Sequence, residues 1–152
     1  NYQIDEGVQA IQIFDSWVGC LSVSDYRNHV FAHSKKLIDS ISGKVPVIHF
    51  GTGNPSLLPL MKEAGGDVMA LDWRAPLKES WELLGCKAVQ GNMDPIALFG
   101  SVDSVRQAAG LILEEVGGRP GHIFNLGHGI LPETPVENVK ALVEFVQGYQ
   151  TS

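Results

Sequence analysis

Hydroxyl and ionisable side chains stand at the ends of two short apolar runs in this sequence. The run "VQAIQIFDS" (8–16) ends in Asp15 and Ser16, and the run "GHIFNLGHG" (121–129) ends in His128 between two glycines. A histidine titrates near neutral pH and can donate a hydrogen bond to a carboxylate. Flanking glycines let a ligand approach the backbone closely. Ser16 and His128 are therefore candidates for binding a substrate or for handling a proton.

Each of these residues also has a purely structural interpretation. Ser16 could cap the turn after its strand, because serine readily accepts hydrogen bonds from backbone N–H groups. His128 could be an ordinary loop histidine. Asp15 is better explained as a structural acceptor than as a catalyst. His122 precedes its strand, at the opposite end from His128, so we expect it at the surface.

Composition limits the classes of function. The 152 residues, 44% hydrophobic and 18% charged, predict one folded domain over residues 1–152. A formal net charge of -6 argues against nucleic-acid binding. No apolar run approaches the roughly 18 residues of a membrane span, and no signal peptide is recognisable. We expect a cytoplasmic protein with buried thiols at Cys20 and Cys86, which lack metal-ligand spacing. Because the chain starts without methionine, in a stretch typical of a helix end, we expect it to continue a longer protein.

Five short apolar runs predict strands that are covered on both faces, as in a parallel sheet. They are residues 8–16, 45–53, 66–74, 86–94 and 121–129. Helical spacing of apolar residues predicts one helix over 22–41 and another over 101–116. Asn54 and Thr134 each precede a proline, a pattern typical of a helix cap followed by a first-position proline.

Alternation of strands and helices implies right-handed crossovers and a parallel sheet. An open doubly wound sheet and part of a (β/α)8 barrel both satisfy that pattern, but no GxGxxG follows the first strand, so a dinucleotide site is unsupported. Polar residues cluster at the carboxyl ends of the strands, the rim where barrels place their chemistry. They are Asp15, Ser16, His49, Asp72, Arg74, Gln90, Asn92, Asn125 and His128. On the barrel interpretation the fold is α/β with five consecutive β/α units, and three strands are absent.

Four motifs carry a resemblance to a known family. They are "IFDSWVG" (13–19), "LDWR" (71–74), "QGNMDP" (90–95) and "NLGHGILP" (125–132). Together they resemble the C-terminal part of uroporphyrinogen decarboxylase, in the family's order and over essentially the whole chain. The resemblance implies a (β/α)8 TIM barrel of which residues 1–152 are the C-terminal portion.

The resemblance also implies an activity. The family removes the four acetate carboxyl groups of uroporphyrinogen III to give coproporphyrinogen III in heme biosynthesis, without a metal or organic cofactor and commonly as a homodimer. Ser16 matches the family's active-site serine and His128 its active-site histidine, so both are expected to be catalytic or substrate-binding residues. Asp72 and Arg74 are expected to form a structural pair. Asn92 and Asp94 are expected to shape a turn and cap the next helix.

Part of the family's site is missing from this sequence. The family's arginine segment, the aspartate that meets the pyrrole N–H groups and a tyrosine all lie in the N-terminal part of the barrel. We therefore expect the isolated chain to be inactive. We also expect it to associate with itself or with the missing N-terminal part.

Two alternatives remain. Corrinoid-linked methyltransferases belong to the same superfamily, and their zinc branch typically shows a histidine, one spacer and a cysteine at a strand end. Here "IHFGTG" (48–53) has His49 but Gly51 two positions later, so a thiolate ligand is missing and no metal is expected. The other alternative is a non-catalytic fragment that only binds a partner.

Overall fold

One five-stranded parallel sheet forms the centre of the computed structural model, which describes residues 1–53 and 55–150. The strands follow one another in chain order, as β1 (Ile11–Asp15), β2 (Val47–Gly51), β3 (Val68–Ala70), β4 (Ala88–Met93) and β5 (His122–Leu126). A doubly wound sheet would reverse its strand order at a switch point, whereas a barrel keeps it sequential. The five predicted β/α units are confirmed, and their order is that of a barrel.

The sheet is curved rather than flat. The side-chain amide of Gln90 on β4 donates to the side-chain oxygen of Gln12 on β1, at 3.3 Å. These strands are three positions apart, and adjacent strands lie about 4.8 Å apart, so on a flat sheet they would be about 14 Å apart. Contact between the two glutamines therefore requires a concave face, on which both side chains lie.

Helices cover the convex face. They are α1 (Tyr2–Asp5), α2 (Val23–His29), α3 (Phe31–Asp39), α4 (Leu58–Ala64), α5 (Leu77–Leu84), α6 (Val102–Val116) and α7 (Val136–Gly148), with 3-10 turns at Val18–Cys20, Pro55–Leu57 and Pro95–Phe99. In the described part of the chain, none of these helices is long and apolar enough to cross a membrane.

The helix predicted over residues 22–41 is in fact two helices. The backbone departs from regular helix at Val30, with φ -118° and ψ -45°, and this residue ends α2 and precedes α3. Apolar spacing alone did not reveal the break, because both halves present their apolar residues to the same core. Tyr26 from α2 and Ser34 from α3 both reach the carboxylate of Asp15 at the end of β1.

Serine caps begin two helices, and among the caps predicted from the sequence one is confirmed and one is wrong. Ser22 accepts from the backbone N–H of Asp25, and Ser101 likewise begins α6. Asp94 accepts from the N–H of Ile96, which confirms its predicted capping role. The prediction for Thr134 is wrong: Pro135 is extended and precedes α7, so Thr134 stands one residue too early to cap it. The predicted cap at Asn54 lies outside the described residues.

Apolar packing lies on the convex side of the sheet. The largest core cluster centres on Trp81, Leu57 and Met69, and a second cluster joins α6 and α7 to the end of β4. On the concave face the two outer strands are left open, since Phe14 on β1 is 65% exposed and Ile123 on β5 is 42% exposed. Within the described residues, β1 and β5 each pair with one neighbour only.

Three expectations about burial are wrong, and one of them concerns Cys86, which is partly buried rather than buried. Cys20 is exposed, because it ends the 3-10 turn after β1, where its thiol donates to the carbonyl of Trp17 at 3.1 Å. His122 is half-buried rather than a surface residue. It is the first residue of β5 and faces the helices, with Nε2 2.6 Å from the carbonyl oxygen of Gly91 and its ring against Trp81. Burial lowers the pKa of His122, although the hydrogen bond to Gly91 opposes that effect.

Candidate active site

A cavity of about 190 Å³ lies on the concave face of the sheet and receives side chains from all five strands or the segments that follow them. It is lined by Gln12, Phe14, Phe50, Ala70, Leu71, Gln90, Asn125, Leu126, His128 and Gly129. Its polar groups are three amides and one imidazole, and its walls carry no carboxylate, ammonium or guanidinium group. Such a lining can donate and accept hydrogen bonds but cannot neutralise an anionic ligand.

His128 sits against two aromatic rings at the mouth of this cavity. Its ring makes edge contacts with Phe50 and Trp73, at centroid distances of 6.1 and 6.5 Å. The backbone N–H of Gly129 donates to Nδ1 at 2.8 Å. Because Nδ1 accepts this hydrogen bond, the neutral ring carries its proton on Nε2. His128 can therefore offer an N–H donor to a ligand without first gaining a proton.

Close backbone packing holds the segment that carries His128. The N–H of Gly127 donates to the carbonyl of Met93 at 2.7 Å, which ties this segment to the end of β4. A Cβ atom at position 127 would stand 2.5 Å from the backbone nitrogen of Trp73. Glycine is therefore required at Gly127, and the backbone before His128 lies directly on the segment after β3.

Ser16 lies at the same rim but outside the cavity lining. It directly follows β1 and is half-buried, and its backbone carbonyl accepts from the hydroxyl of Thr52 at 2.5 Å. Among the described residues, the Ser16 hydroxyl has no hydrogen-bond partner. The structure does not bring Ser16 and His128 into contact. The ring of Phe50 contacts both Phe14 on β1 and His128, at centroid distances of 5.9 and 6.1 Å.

The predicted structural pair of Asp72 and Arg74 is confirmed. Arg74 Nη1 lies 2.9 Å from Asp72 Oδ2, and the same buried carboxylate accepts from the N–H of Gly53 at 2.6 Å. The Arg74 guanidinium also stacks 4.0 Å above the ring of Trp73. Arg74 is thus held at the rim, with half of its side chain exposed.

Asn92 fixes the segment between β3 and α5. Its buried amide donates to the carbonyls of Asp72 and Ala75, at 2.9 and 2.6 Å. Two hydrogen bonds from one buried amide thus tie together both ends of the turn that follows β3. This confirms the expectation that Asn92 shapes a turn at the rim.

A contact between His49 and Asp15 lies next to Ser16. His49 is fully buried, and its Nε2 lies 3.0 Å from Asp15 Oδ2, which also accepts from the hydroxyls of Ser34 and Tyr26. Burial raises the pKa of Asp15, but hydrogen bonds from His49 and Ser34 outweigh it and hold that pKa below its usual value. Burial and the Asp15 charge raise the pKa of Tyr26 to about 12. Asp15 is a structural acceptor, as expected.

The expectation that His49 contributes to the polar rim is wrong. Alternation along β2 turns Ile48 and Phe50 to the concave face and His49 to the helices. There its Nδ1 lies 3.1 and 3.0 Å from the carbonyl oxygens of Met61 and Gly65. Both ring nitrogens are engaged. Within residues 1–53 and 55–150, no three His, Cys, Asp or Glu side chains are grouped to share a metal ion.

Sequence reasoning missed Gln12, Phe50 and Trp73. In β1, Gln12 and Phe14 are two residues apart and therefore share a face, while Ile11 and Ile13 pack with the helix-side core. The signal available in the sequence was the two-residue spacing between a polar and an aromatic residue in an otherwise apolar strand. No comparable signal marks Trp73, because its place depends on the turn held by Asn92.

The sequence matches the family model for uroporphyrinogen decarboxylase over residues 1–149. Three curated relatives carry that name. The relative from Koribacter versatilis is 52% identical over 152 residues, covering 98% of this chain and 43% of the relative. The one from Carboxydothermus hydrogenoformans is 53% identical over 146 residues, covering 95% and 42%. The one from Thermus thermophilus is 52% identical over 146 residues, covering 95% and 43%. The chain thus spans less than half the length of these relatives.

Two solved structures share the fold. A methyltransferase from Methanosarcina mazei superposes with a TM-score of 0.82 at 26% identity, covering 97% of this chain and 44% of that chain. Dihydrodipicolinate synthase DapA-2 from Bacillus anthracis superposes with a TM-score of 0.53 at 18% identity, covering 95% and 51%. The second likeness concerns the fold alone. Both agree with five consecutive units of a (β/α)8 barrel.

Proposed function

The chain belongs to the uroporphyrinogen decarboxylase family, and on that premise we propose that it is the C-terminal portion of a cytoplasmic enzyme of heme biosynthesis. The proposed enzyme removes the four acetate carboxyl groups of uroporphyrinogen III and releases coproporphyrinogen III. The observation that carries the proposal is about 50% identity to uroporphyrinogen decarboxylases along nearly the whole chain.

The chemistry explains what such a site must supply. Loss of CO₂ from an acetate leaves an electron pair that needs a sink, and a pyrrole protonated on a ring carbon provides that sink within the substrate. The protein then has to hold the carboxylates, meet the pyrrole N–H groups and place a proton donor. The Nε2–H of His128 suits donation to a substrate carboxylate or proton management, and the hydroxyl of Ser16 suits substrate contact. The amides of Gln12, Gln90 and Asn125 supply neutral donors and acceptors on the concave face.

The cavity can hold only part of the proposed substrate. Pockets for small molecules usually measure about 300–1,000 Å³, whereas this cavity measures about 190 Å³ and has an uncharged lining. A polycarboxylated macrocycle needs cationic donors that these walls lack. We propose that further strands of the same barrel supply those donors.

The test is an activity assay on a completed barrel. We define the completed barrel as these 152 residues fused behind the N-terminal part of the Koribacter versatilis relative, for which this chain has no counterpart. Coproporphyrinogen formation from uroporphyrinogen by this fusion supports the proposal. A folded fusion that binds uroporphyrinogen without decarboxylating it would favour the non-catalytic alternative.

We also propose that the concave face and the edges of β1 and β5 are covered by the missing strands or, in their absence, by a second copy of this chain. Unpaired strand edges and exposed apolar side chains favour association. Light scattering should show that the 152-residue chain alone forms dimers or larger species.

Substitutions at two exposed positions test which surface drives this association. Ile123→Lys places a charge on the concave face at the edge strand and is expected to shift the equilibrium towards monomer. Leu83→Lys, on α5 at a 73% exposed position, is the matched control and should change nothing. A wild-type chain that stays monomeric at high concentration contradicts this proposal.

A methyltransferase is the second candidate, favoured by the likeness to the Methanosarcina mazei structure. Zinc-dependent thiol activation requires free nitrogen and sulfur ligands. Both nitrogens of His49 are hydrogen-bonded inside the protein, and glycine occupies position 51. We therefore expect less than about one-tenth of an equivalent of zinc to remain after dialysis, measured by elemental analysis of the completed barrel. Stoichiometric zinc would favour the methyltransferase instead.

A further inference from the structure

The contacts of His49 require one proton more than a neutral ring carries. Nδ1 faces two carbonyl oxygens, which only accept hydrogen bonds, so Nδ1 must carry a proton. A neutral ring would then present a lone pair on Nε2 to the carboxylate oxygen of Asp15, 3.0 Å away. That arrangement is repulsive unless a proton lies between the two atoms. Asp15 Oδ2 already accepts from the hydroxyls of Ser34 and Tyr26, as an ionised carboxylate oxygen does, and this places the proton on the ring.

Other groups around the pair do not supply this proton. Tyr26 on α2 and Ser34 on α3 donate to Asp15, and α4 and the residue after it offer only carbonyl oxygens to His49. With its pKa raised to about 12, Tyr26 keeps its proton throughout the neutral range. The proton between Asp15 and His49 is therefore held by one of these two groups.

The pair lies directly behind Ser16. Asp15 is the last residue of β1 and turns its side chain to the helices, and Ser16 follows it directly in the next turn. The carbonyl of Ser16 is bound by the hydroxyl of Thr52. At the same rim, a Cβ on Gly19 would overlap the Thr52 carbonyl, so the segment after β1 lies directly on the segment after β2. Ser16 is thus fixed from two sides.

We propose that His49 is a positioning residue, which holds Asp15 through a shared proton and thereby fixes the hydroxyl of Ser16 at the rim of the site. The role in turnover rests on the proposed decarboxylase function, whereas the shared proton does not. A neutral His49 would leave a buried carboxylate facing a lone pair, and β1 would have to shift to relieve the repulsion. Because Ser16 is the next residue, that shift displaces its hydroxyl.

Nitrogen NMR of the 152-residue chain tests the shared proton without any assay of activity. In the wild-type chain at neutral pH, both ring nitrogens of His49 are expected to show chemical shifts of the protonated type. In Asp15→Asn, the Nε2 signal is expected to change to that of an unprotonated nitrogen while Nδ1 stays protonated. A wild-type Nε2 signal of the unprotonated type overturns the proposal, even if the completed barrel is active.

Two substitutions in the completed barrel separate positioning from stability. His49→Gln keeps an N–H donor towards Asp15 but has no proton to lose, whereas His49→Leu removes the donor at similar volume. Misplacing a reacting group by a fraction of an ångström is costly, so His49→Leu is expected to lower kcat about tenfold with KM within about twofold. His49→Gln should keep kcat within about threefold, because its side-chain amide still donates to Asp15.

The matched control is His122→Leu, which removes a half-buried histidine at the opposite end of the sheet. It should lower the melting temperature and leave kcat unchanged. Equal kcat in folded His49→Leu and wild type would show that His49 is only structural and would overturn the proposal. If His49→Leu does not fold, His49→Gln decides: a folded His49→Gln variant whose kcat falls by more than about tenfold overturns the proposal. An inactive wild-type fusion rejects the decarboxylase function and leaves the NMR result standing.

Discussion

On the proposed function, the 152-residue chain alone is expected to form coproporphyrinogen at least about 1,000-fold more slowly than the completed barrel. The lining of its cavity has no Lys or Arg to meet a polyanionic substrate, and removal of one preorganised electrostatic group costs about 100- to 1,000-fold. The measurement is a single-time-course assay with uroporphyrinogen at matched concentrations of both proteins. Strong activity from the 152 residues alone contradicts the expectation.

The placement of the arginines is the main physical reason. Only Arg74 of the four arginines lies at the rim, and its guanidinium is already paired with Asp72 and stacked on Trp73. Arg27 and Arg106 lie on helices, and Arg119 stacks on Trp81, away from the cavity. Bidentate arginine contacts are the efficient way to hold carboxylates. A chain with net charge -6 and no free arginine at the cavity should bind a polyanion poorly.

A control experiment distinguishes the lack of catalytic groups from a failure of the chain to fold. The N-terminal part of the Koribacter versatilis relative, expressed alone, should be as inactive as this chain. The two parts mixed together should recover activity in proportion to complex formed, since each supplies half of the site. Recovery that does not follow complex formation, measured by light scattering on the same samples, would show that the two halves do not share one site.

Sequence pattern predicted the architecture well, for a definite reason. Alternation of strand and helix, with polar residues at the carboxyl ends of strands, depends on periodicity that any residue of the right class satisfies. The wrong predictions concern local features of the helices. The break at Val30 and the late start of α7 at Val136 depend on how each helix meets the core, which periodicity does not specify.

The site was predictable only where a motif identified its residues. Ser16 and His128 came from their motifs, and the structure places both at the rim without joining them. Assigning His49 to the rim failed because its position near a strand end was considered, while its phase relative to Phe50 was not. Gln12 was missed for the same reason. The face of the sheet to which a strand residue turns is the information that those predictions lacked.

His128→Ala in the completed barrel is expected to lower kcat/KM about 100- to 1,000-fold, the range measured when one preorganised donor is removed from an active site. The ring is held by the backbone of Gly129 and by the packing of Gly127 on Trp73, so truncation removes a fixed donor rather than a mobile one. Ser16→Ala removes one neutral hydroxyl and is expected to cost about tenfold, in line with roughly 1.4 kcal/mol for a neutral hydrogen bond.

His128→Gln distinguishes the two roles left open for this histidine. Glutamine keeps an N–H donor near the position of Nε2 but cannot exchange a proton at neutral pH. Because Nδ1 is occupied by the Gly129 N–H and Nε2 carries the proton, we expect donation to a substrate carboxylate to dominate, with His128→Gln within about tenfold of wild type. Loss as large as that of His128→Ala would instead assign proton transfer to the ring. His33→Ala, at an exposed position on α3, is the matched control and should leave kcat/KM unchanged. If it lowers kcat/KM as His128→Ala does, the effect at position 128 is not specific to the cavity.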